Sequence, residues 1–381
     1  MKTSFFKAGH LPTLIACFLY FDLSFMVWVL LGPMAVLIAA DLNLDPGQKG
    51  LMVAVPTLAG ACLRIVNGVL VGQIGPRRTG LIMQAIVIVG LITAWTVDIT
   101  SFSQMLMIGA LLGVAGASFA IALPMVSYWY PPEHQGTALG LAGAGNSGTV
   151  LAALPLIAVF AIFFLTAKNS PNCPPPKSLA DYGAVLKSKD AWLMMFFYGV
   201  SFGGFVGLSS FLPIYFHDQF GLSAVQAGYY TAACVFAGSF ARPLGGLVAD
   251  QIGGTRSLSF IYLVVAAVLF TVAGGSLSAL PTLGVFILGM CALGMGNGAV
   301  FQLVPQRFAR DVGIMTGLVG MTGGIGGFYL AASLGYAKQF TGSYTFGFSV
   351  FAAMAVIGFA GILSVRPRWR REVGALAAAR I

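Results

Sequence analysis

Residues Leu58–Gly80 read L-A-G-A-C-L-R-I-V-N-G-V-L-V-G-Q-I-G-P-R-R-T-G, and residues Phe236–Leu258 read F-A-G-S-F-A-R-P-L-G-G-L-V-A-D-Q-I-G-G-T-R-S-L. A constant offset of 178 positions aligns Gly60 with Gly238, Arg64 with Arg242, Gly68 with Gly246, Gln73-Ile74-Gly75 with Gln251-Ile252-Gly253, and Arg78 with Arg256. Each copy sets one arginine inside an apolar run of helix length. An arginine at mid-membrane depth costs roughly 2.5–3.5 kcal/mol, and such residues mark functional sites by default. Two of them at matched repeat positions point to a buried anion site. The structural alternative is that each arginine snorkels or pairs with a loop acid.

The remaining sequence is that of a polytopic membrane protein. The 381 residues are 58% apolar and only 8% charged, with 50 glycines, which excludes a soluble domain and predicts an all-helical membrane bundle. Abundant glycine fits the close approach of helices in lipid. The first apolar run, 11–40, is too long for a signal-peptide core and has no cleavage site, so no leader is expected. The net charge of +9 sits in short loops and the tail, where it orients spans; nucleic acid is not an expected partner, whereas the lipid bilayer is. Cys17, Cys62, Cys173, Cys234 and Cys291 are an odd, scattered set, which predicts neither a disulfide framework nor a metal site.

Apolar runs with loop signals between them fall at 11–40, 49–74, 80–98, 102–129, 136–167, 191–217, 224–249, 257–278, 281–306, 313–337 and 343–365. They divide the chain into a first bundle at 1–167, a polar linker at 168–190, a second bundle at 191–365 and a tail at 366–381. The linker contains Pro174-Pro175-Pro176 and reads as solvent-exposed. If the N-terminus, linker and tail are cytoplasmic, only Lys49 and Lys338 of the 20 Lys and Arg fall in outer loops. Such a bias is a strong positive-inside signal. This orientation requires the run 136–167 to cross twice. Gly136 to Asn169 spans 33 positions, whereas Gly313 to Arg366 in the second half spans 53. Spans five and six are therefore short by about 20 residues against the length two spans need. They form either a short, re-entrant hairpin, or one long helix giving 11 full spans, or the remnant of an internal deletion.

The loops G-Q-I-G-P-R-R-T-G and A-D-Q-I-G-G-T-R resemble the two copies of the loop motif that follows the second and eighth helices of major facilitator superfamily transporters. The glycine-rich stretch Leu139–Gly148, L-G-L-A-G-A-G-N-S-G, and its partner Thr316–Phe328 resemble the paired nitrate signatures of the nitrate/nitrite porter family. The arginines of helices two and eight share that resemblance, which covers nearly the whole chain. Two departures stand out: the short fifth-to-sixth region, and Gly72 where the second copy has Asp250. The resemblance implies two pseudo-symmetric six-helix bundles, nominally twelve spans. It further implies alternating-access transport of nitrate, and of nitrite, across the bacterial inner membrane by a monomer with both termini cytoplasmic.

The chemistry suits the substrate. Nitrate is a planar, weakly hydrated anion, and a guanidinium offers paired donors in a plane. Arg64 and Arg242 lie some 7–10 residues from the cytoplasmic ends of their helices, or about 10–15 Å deep at 1.5 Å per residue. Phe119 and Phe301, at nearly equivalent repeat positions, are expected to clamp the anion plane. Tyr198 and Phe202 match the family's substrate-facing positions on span seven, and Tyr198 is a candidate hydrogen-bond donor. Asn146 is expected to line the path. The signature glycines are Gly140, Gly143, Gly145, Gly148, Gly317, Gly320, Gly323 and Gly324, whose plainer role is close helix packing. Asn67, Asn297 and Gln302 are further polar residues within spans. They line the cavity or bond neighbouring helices.

Asp22 is the one acid well inside a span. At Arg64's depth it could carry a proton, since burial raises a carboxylate pKa while a nearby arginine lowers it. Proton-coupled uptake is the leading expectation. A fixed Asp22–Arg64 ion pair, and nitrate/nitrite exchange without any titrating group, are the alternatives. No cofactor is implied, and no phosphate-binding loop is present to use ATP. An enzyme is not expected: His10, His134 and His217 are scattered near the membrane surfaces. Rival readings are a transporter of another small anion, such as a carboxylate, and a non-transporting membrane sensor or impaired relic.

Overall fold

The computed structural model describes residues 8–131, 138, 142, 153–171, 179–308 and 311–372. Among these, ten helices are long and apolar enough to cross a bilayer. The first is α1 (Leu11–Trp28) continued by α2 (Leu31–Asp41). Then come α3 (Pro46–Ile74) and α4 (Pro76–Thr96). The fourth comprises α5 (Phe102–Leu112), a 3₁₀ segment (Gly113–Ser118) and α6 (Phe119–Ser127). Two shorter helices follow, α7 (Ala153–Thr166) and α8 (Leu179–Val185). The second half contains α9 (Lys189–Phe220), α10 (Ala224–Ile252), α11 (Gly254–Ala273), α12 (Ala279–Arg307), α13 (Val312–Thr341) and α14 (Thr345–Glu372).

The 178-position repeat is a repeat of structure. Helices α3 and α10 are both 29 residues long and begin and end at equivalent positions. Each starts with a capping box, Asp45 with Gln48 and Ser223 with Gln226, which satisfies otherwise orphaned N–H groups. Each ends at a glycine with positive φ, Gly75 at 84° and Gly253 at 96°. That backbone region favours glycine, and it lets the next helix start at once, at Pro76 and at Gly254. The Q-I-G motif is thus a one-residue turn between consecutive helices. The offset also relates helix pairs. The Asn67 amide donates to Ala117 O at 3.3 Å, and a Cβ on its twin Gly245 would lie 2.1 Å from Met295 O, the twin of Ala117.

Glycines set the distances between the halves. Helix α13 lies along both α3 and α9. A Cβ at Gly50 would come 2.9 Å from Gly335 Cα, and one at Gly203 would come 2.7 Å from Gly326 Cα. Likewise a Cβ at Gly32 would come 2.6 Å from Ser210 O, where α2 crosses α9. In lipid no hydrophobic force drives helices together, so this close backbone packing is a main source of cohesion.

Of the run expected to hold spans five and six, the fourteen residues of α7 form its long described element. It packs on α1 and α4 as α14 packs on α9 and α11, which identifies it with one end of the sixth span. Its counterpart α14 has 28 residues. Gly140, Gly143, Gly145, Asn146 and Gly148 lie outside the described residues.

The two faces of the bundle differ. On the face opposite the linker, Lys49 of α3 pairs with Asp218 of α9 at 3.1 Å, and Tyr344 OH donates to the same carboxylate at 3.3 Å. This contact joins the halves. On the linker face, Asp190, Arg307, Arg368 and Glu372 form an ion-pair network within the second half alone. The linker itself departs from the expected exposed strap. Its helix α8 packs against α13 and buries Tyr182 and Val185. A Cβ at Gly68 of α3 would lie 2.3 Å from the Tyr182 hydroxyl oxygen, and one at Gly317 of α13 would lie 3.7 Å from it. Two glycines from opposite halves thus form a socket for this phenol.

Candidate functional site

Among the described residues, Arg64 and Arg242 are the two charged side chains with almost no exposure, 0% and 1%. Helix α3 delivers Arg64 to the 3₁₀ segment of span four. That tighter winding shifts the usual helical hydrogen bonds, and the segment's carbonyls serve as acceptors. Arg64 Nε donates to Gly116 O at 3.0 Å, beside the Asn67–Ala117 bond. Arg64 Nη1 donates across the seam to Gly320 O of α13. Nη2 has no partner. Arg242 Nη2 donates to Tyr198 OH at 3.3 Å, and Nη1 has no partner. The carboxylates of Asp190, Asp218 and Glu372 pair with Lys49, Arg307 and Arg368, not with these two arginines. Arg64 Nε and Nη1 thus both bond backbone carbonyls. Asp22 sits half-buried in α1.

Aromatic rings fill the space between the two guanidiniums. The Arg64 guanidinium lies 5.0 Å from the Phe119 ring and 5.4 Å from Phe202. Arg242 lies 5.5 Å and 5.8 Å from the same two rings. Such cation–π contacts stabilise a desolvated cation by about 2 kcal/mol. Tyr198 stacks on Phe202 at 5.1 Å and 6°. Phe301 meets Tyr198 edge-on at 5.1 Å and Phe119 at 5.3 Å. Six expected residues, Arg64, Arg242, Tyr198, Phe119, Phe202 and Phe301, therefore converge in one chamber. Tyr198 was expected to donate and here accepts from Arg242, which leaves its own O–H hydrogen for another acceptor.

The described signature glycines surround this chamber. A Cβ at Gly320 would come 3.2 Å from Phe119 Cδ1 and 3.3 Å from Arg64 Nη1. At Gly323 it would come 2.7 Å from Phe202 and 2.9 Å from Tyr198. At Gly324 it would come 2.7 Å from Ala61 Cβ. The signature thus makes room for site side chains at two positions and packs helices at a third, while Gly317 adjoins Tyr182.

Sequence reasoning missed two participants. Trp28 lies 5.0 Å from the Arg64 guanidinium and anchors its indole N–H on Pro56 O at 2.7 Å. Nothing in the run around Trp28 distinguishes it from a lipid-facing aromatic. The carbonyl of Gly116 needed the 3₁₀ break, at which the G-V-A-G run 113–116 hints. Asn297 was named as a residue that lines the cavity or bonds neighbouring helices, and the offset of 178 makes it, and not Phe301, the strict twin of Phe119.

Comparison with known proteins identifies the family. The sequence pattern of the Major Facilitator Superfamily matches residues 16–166 and 148–331. The chain is 31% identical over 374 residues to the nitrite extrusion protein of Bacillus subtilis, covering 92% of each chain. It is 30% identical over 360 residues to a probable nitrate transporter, NarT, of Staphylococcus haemolyticus, covering 88% of this chain and 92% of that one. It is also 30% identical over 394 residues to a probable nitrate/nitrite antiporter, NarK1, of Thermus thermophilus, covering 90% and 88%. Among solved structures, the human organic anion transporter MFSD10 superposes with a TM-score of 0.67 at 14% identity, over 93% of this chain and 99% of that one. The chain belongs to the Major Facilitator Superfamily and, within it, to the nitrate/nitrite porter family.

Proposed function

We propose that this protein moves nitrate, and nitrite, across the bacterial inner membrane by alternating access, as a monomer with both termini cytoplasmic. The observation that carries the reading is the pair Arg64 and Arg242. Two fully buried guanidiniums share an aromatic chamber, and each keeps an unused N–H group. Buried charges need compensation, and a small planar oxyanion supplies it. The names of the relatives point to the same anions.

In this reading Arg64 and Arg242 hold the anion's oxygens, Tyr198 donates its O–H, and Phe119, Phe202 and Phe301 wall the anion plane. Asn146 and Gly140, Gly143, Gly145 and Gly148 are the first half's counterpart to Gly317, Gly320, Gly323 and Gly324, and line the path. The bundles 1–167 and 191–365 rock about the site. The Lys49–Asp218 contact closes the outer side, and Tyr182 of the linker plugs the seam between α3 and α13 on the cytoplasmic side. Asp22 carries a proton in symport. Nitrate/nitrite exchange is the second reading, favoured by the antiporter among the relatives. Uptake of nitrate into proteoliposomes under an imposed pH gradient, with and without internal nitrite, tests both. Acceleration by the gradient supports symport, and dependence on internal nitrite supports exchange. Strong inhibition by carboxylates with no nitrate uptake would overturn the substrate assignment.

A further inference from the structure

Three buried side-chain nitrogens on the helices that build the site, α3, α10 and α12, have no hydrogen-bond partner: Arg64 Nη2, Arg242 Nη1 and Asn297 Nδ2. The remaining orphaned nitrogens among the described residues, on Arg77, Gln84 and Trp369, belong to α4 and α14, which carry none of the six site residues. Asn297 is 0% exposed, and both of its amide atoms are unpartnered. Either orientation of the amide therefore presents a free NH₂. An unpaired amide buried in an apolar bundle costs roughly 1–3 kcal/mol, so its retention calls for a ligand.

Its placement supports one. Asn297 lies one helical turn before Phe301 on α12, so it shares the face that Phe301 turns to Phe119 and Tyr198. The neighbouring Gly298 presses α12 onto α10 at the site arginine: a Cβ there would lie 2.4 Å from Arg242 O. The offset of 178 pairs Asn297 with Phe119, whose ring lies 5.0 Å from the Arg64 guanidinium. By the repeat, Asn297 occupies in the second half the position that Phe119 occupies in the first.

We infer that Asn297 is a specificity-determining residue that donates from its NH₂ to one oxygen of the anion and selects nitrate over nitrite. The inference rests on the reading of the site as a nitrate/nitrite site. Nitrate has three equivalent oxygens in a plane, matching three orphaned nitrogens. Nitrite has two oxygens, and its third in-plane position carries only the nitrogen lone pair, set back by an N–O bond length, so with both arginines engaged the amide is left with a long, weak bond or none. A site that leaves a buried polar group unpaired discriminates against the smaller ligand.

The test is competition by nitrate and by nitrite in counterflow assays on proteoliposomes of the full chain, comparing wild type with Asn297→Leu. The leucine variant should lose nitrate affinity by about tenfold to a hundredfold, the range of a hydrogen bond to a charged group. Its nitrite affinity should stay within about threefold, which also shows that it folds. Equal loss of both anions in a variant with wild-type melting behaviour, or no change in either, would overturn the inference. If the leucine variant does not reconstitute, Asn297→Ser and Asn297→Ala decide. The serine, which keeps a donor, should retain more of the nitrate preference than the alanine, and identical ratios in the two would overturn it. If wild type counterflows neither anion, the substrate assignment itself has failed, which is a different result from a variant whose two affinities fall together.

Discussion

Arg64 of α3 donates to the backbone carbonyl of Gly320 in α13, so the site arginine of the first half is tied directly to the glycine signature of the second. The bond is possible because position 320 has no side chain. Gly320→Ala would bring a Cβ to 3.3 Å from Arg64 Nη1 and 3.2 Å from Phe119. Both neighbours must yield by a few tenths of an ångström, so nitrate affinity should fall about tenfold with little change in melting temperature. Gly326→Ala differs, because its Cβ would lie 2.1 Å from Gly199 O of the facing backbone. Overpacking of that kind costs about 1–3 kcal/mol, and it should lower the melting temperature before it alters affinity. Parallel melting and competition assays on the two variants separate the effects.

The socket at the linker gives a reciprocal test. Gly68→Ala places a Cβ 2.3 Å from the Tyr182 hydroxyl oxygen but 3.6 Å from Cζ. The single variant should displace α8 and slow transport several-fold. Adding Tyr182→Phe removes the clashing oxygen and should restore the rate. Burial raises the Tyr182 pKa above that of a free phenol, so the hydroxyl stays protonated through neutral pH and the rescue should be independent of pH between 6 and 8. Initial uptake rates of both variants measure it.

Lys49 and Asp218 are partly exposed, with 22% and 15% of their side-chain surface accessible. Such a pair stabilises its closed arrangement by only about 0–1 kcal/mol. Lys49→Ala should therefore shift the equilibrium toward opening on that face without unfolding the protein. Hydrogen exchange at the ends of α2 and α9 should rise by at most about fivefold, and the effect should shrink in high salt for wild type.

Asp22 bears on coupling. Asp22→Asn should abolish acceleration of uptake by a pH gradient and spare nitrate/nitrite exchange. Uptake measured with the gradient imposed and collapsed checks this, and an unchanged gradient response would remove Asp22 from the coupling step.

Much of the fold was legible because the repeat is strict. The offset read from Arg64 and Arg242 also relates the capping boxes at Asp45 and Ser223, the positive-φ turns at Gly75 and Gly253, and the contacts of span two with span four. Hydrophobic length alone located the spans, since the bilayer fixes it. The chamber was legible in its arginines, whose cost in lipid marks them, and in Phe119, Tyr198, Phe202 and Phe301 through repeat position and family resemblance. Trp28 was not, because an aromatic near a site looks like any lipid-facing aromatic until tertiary packing turns it inward. Nor was the buried face of α8: its seven residues carry too few apolar positions for periodicity to announce a helix that plugs a seam. The 3₁₀ carbonyls that receive Arg64 depend on backbone geometry, which side-chain identity encodes only weakly.

The central claim is that Arg64 and Arg242 form the anion site. Equilibrium nitrate binding to the purified protein and to Arg64→Lys and Arg242→Lys tests it most directly. An ammonium keeps the charge but cannot reproduce the planar fork that bonds Gly116 O, Gly320 O and an oxyanion together. The predicted result is measurable nitrate binding by wild type and a loss of about a hundredfold or more in each lysine variant, with folding preserved. That loss corresponds to about 3 kcal/mol, in the range of charge-assisted hydrogen bonds. Nitrate binding within about threefold of wild type in either lysine variant would contradict the account.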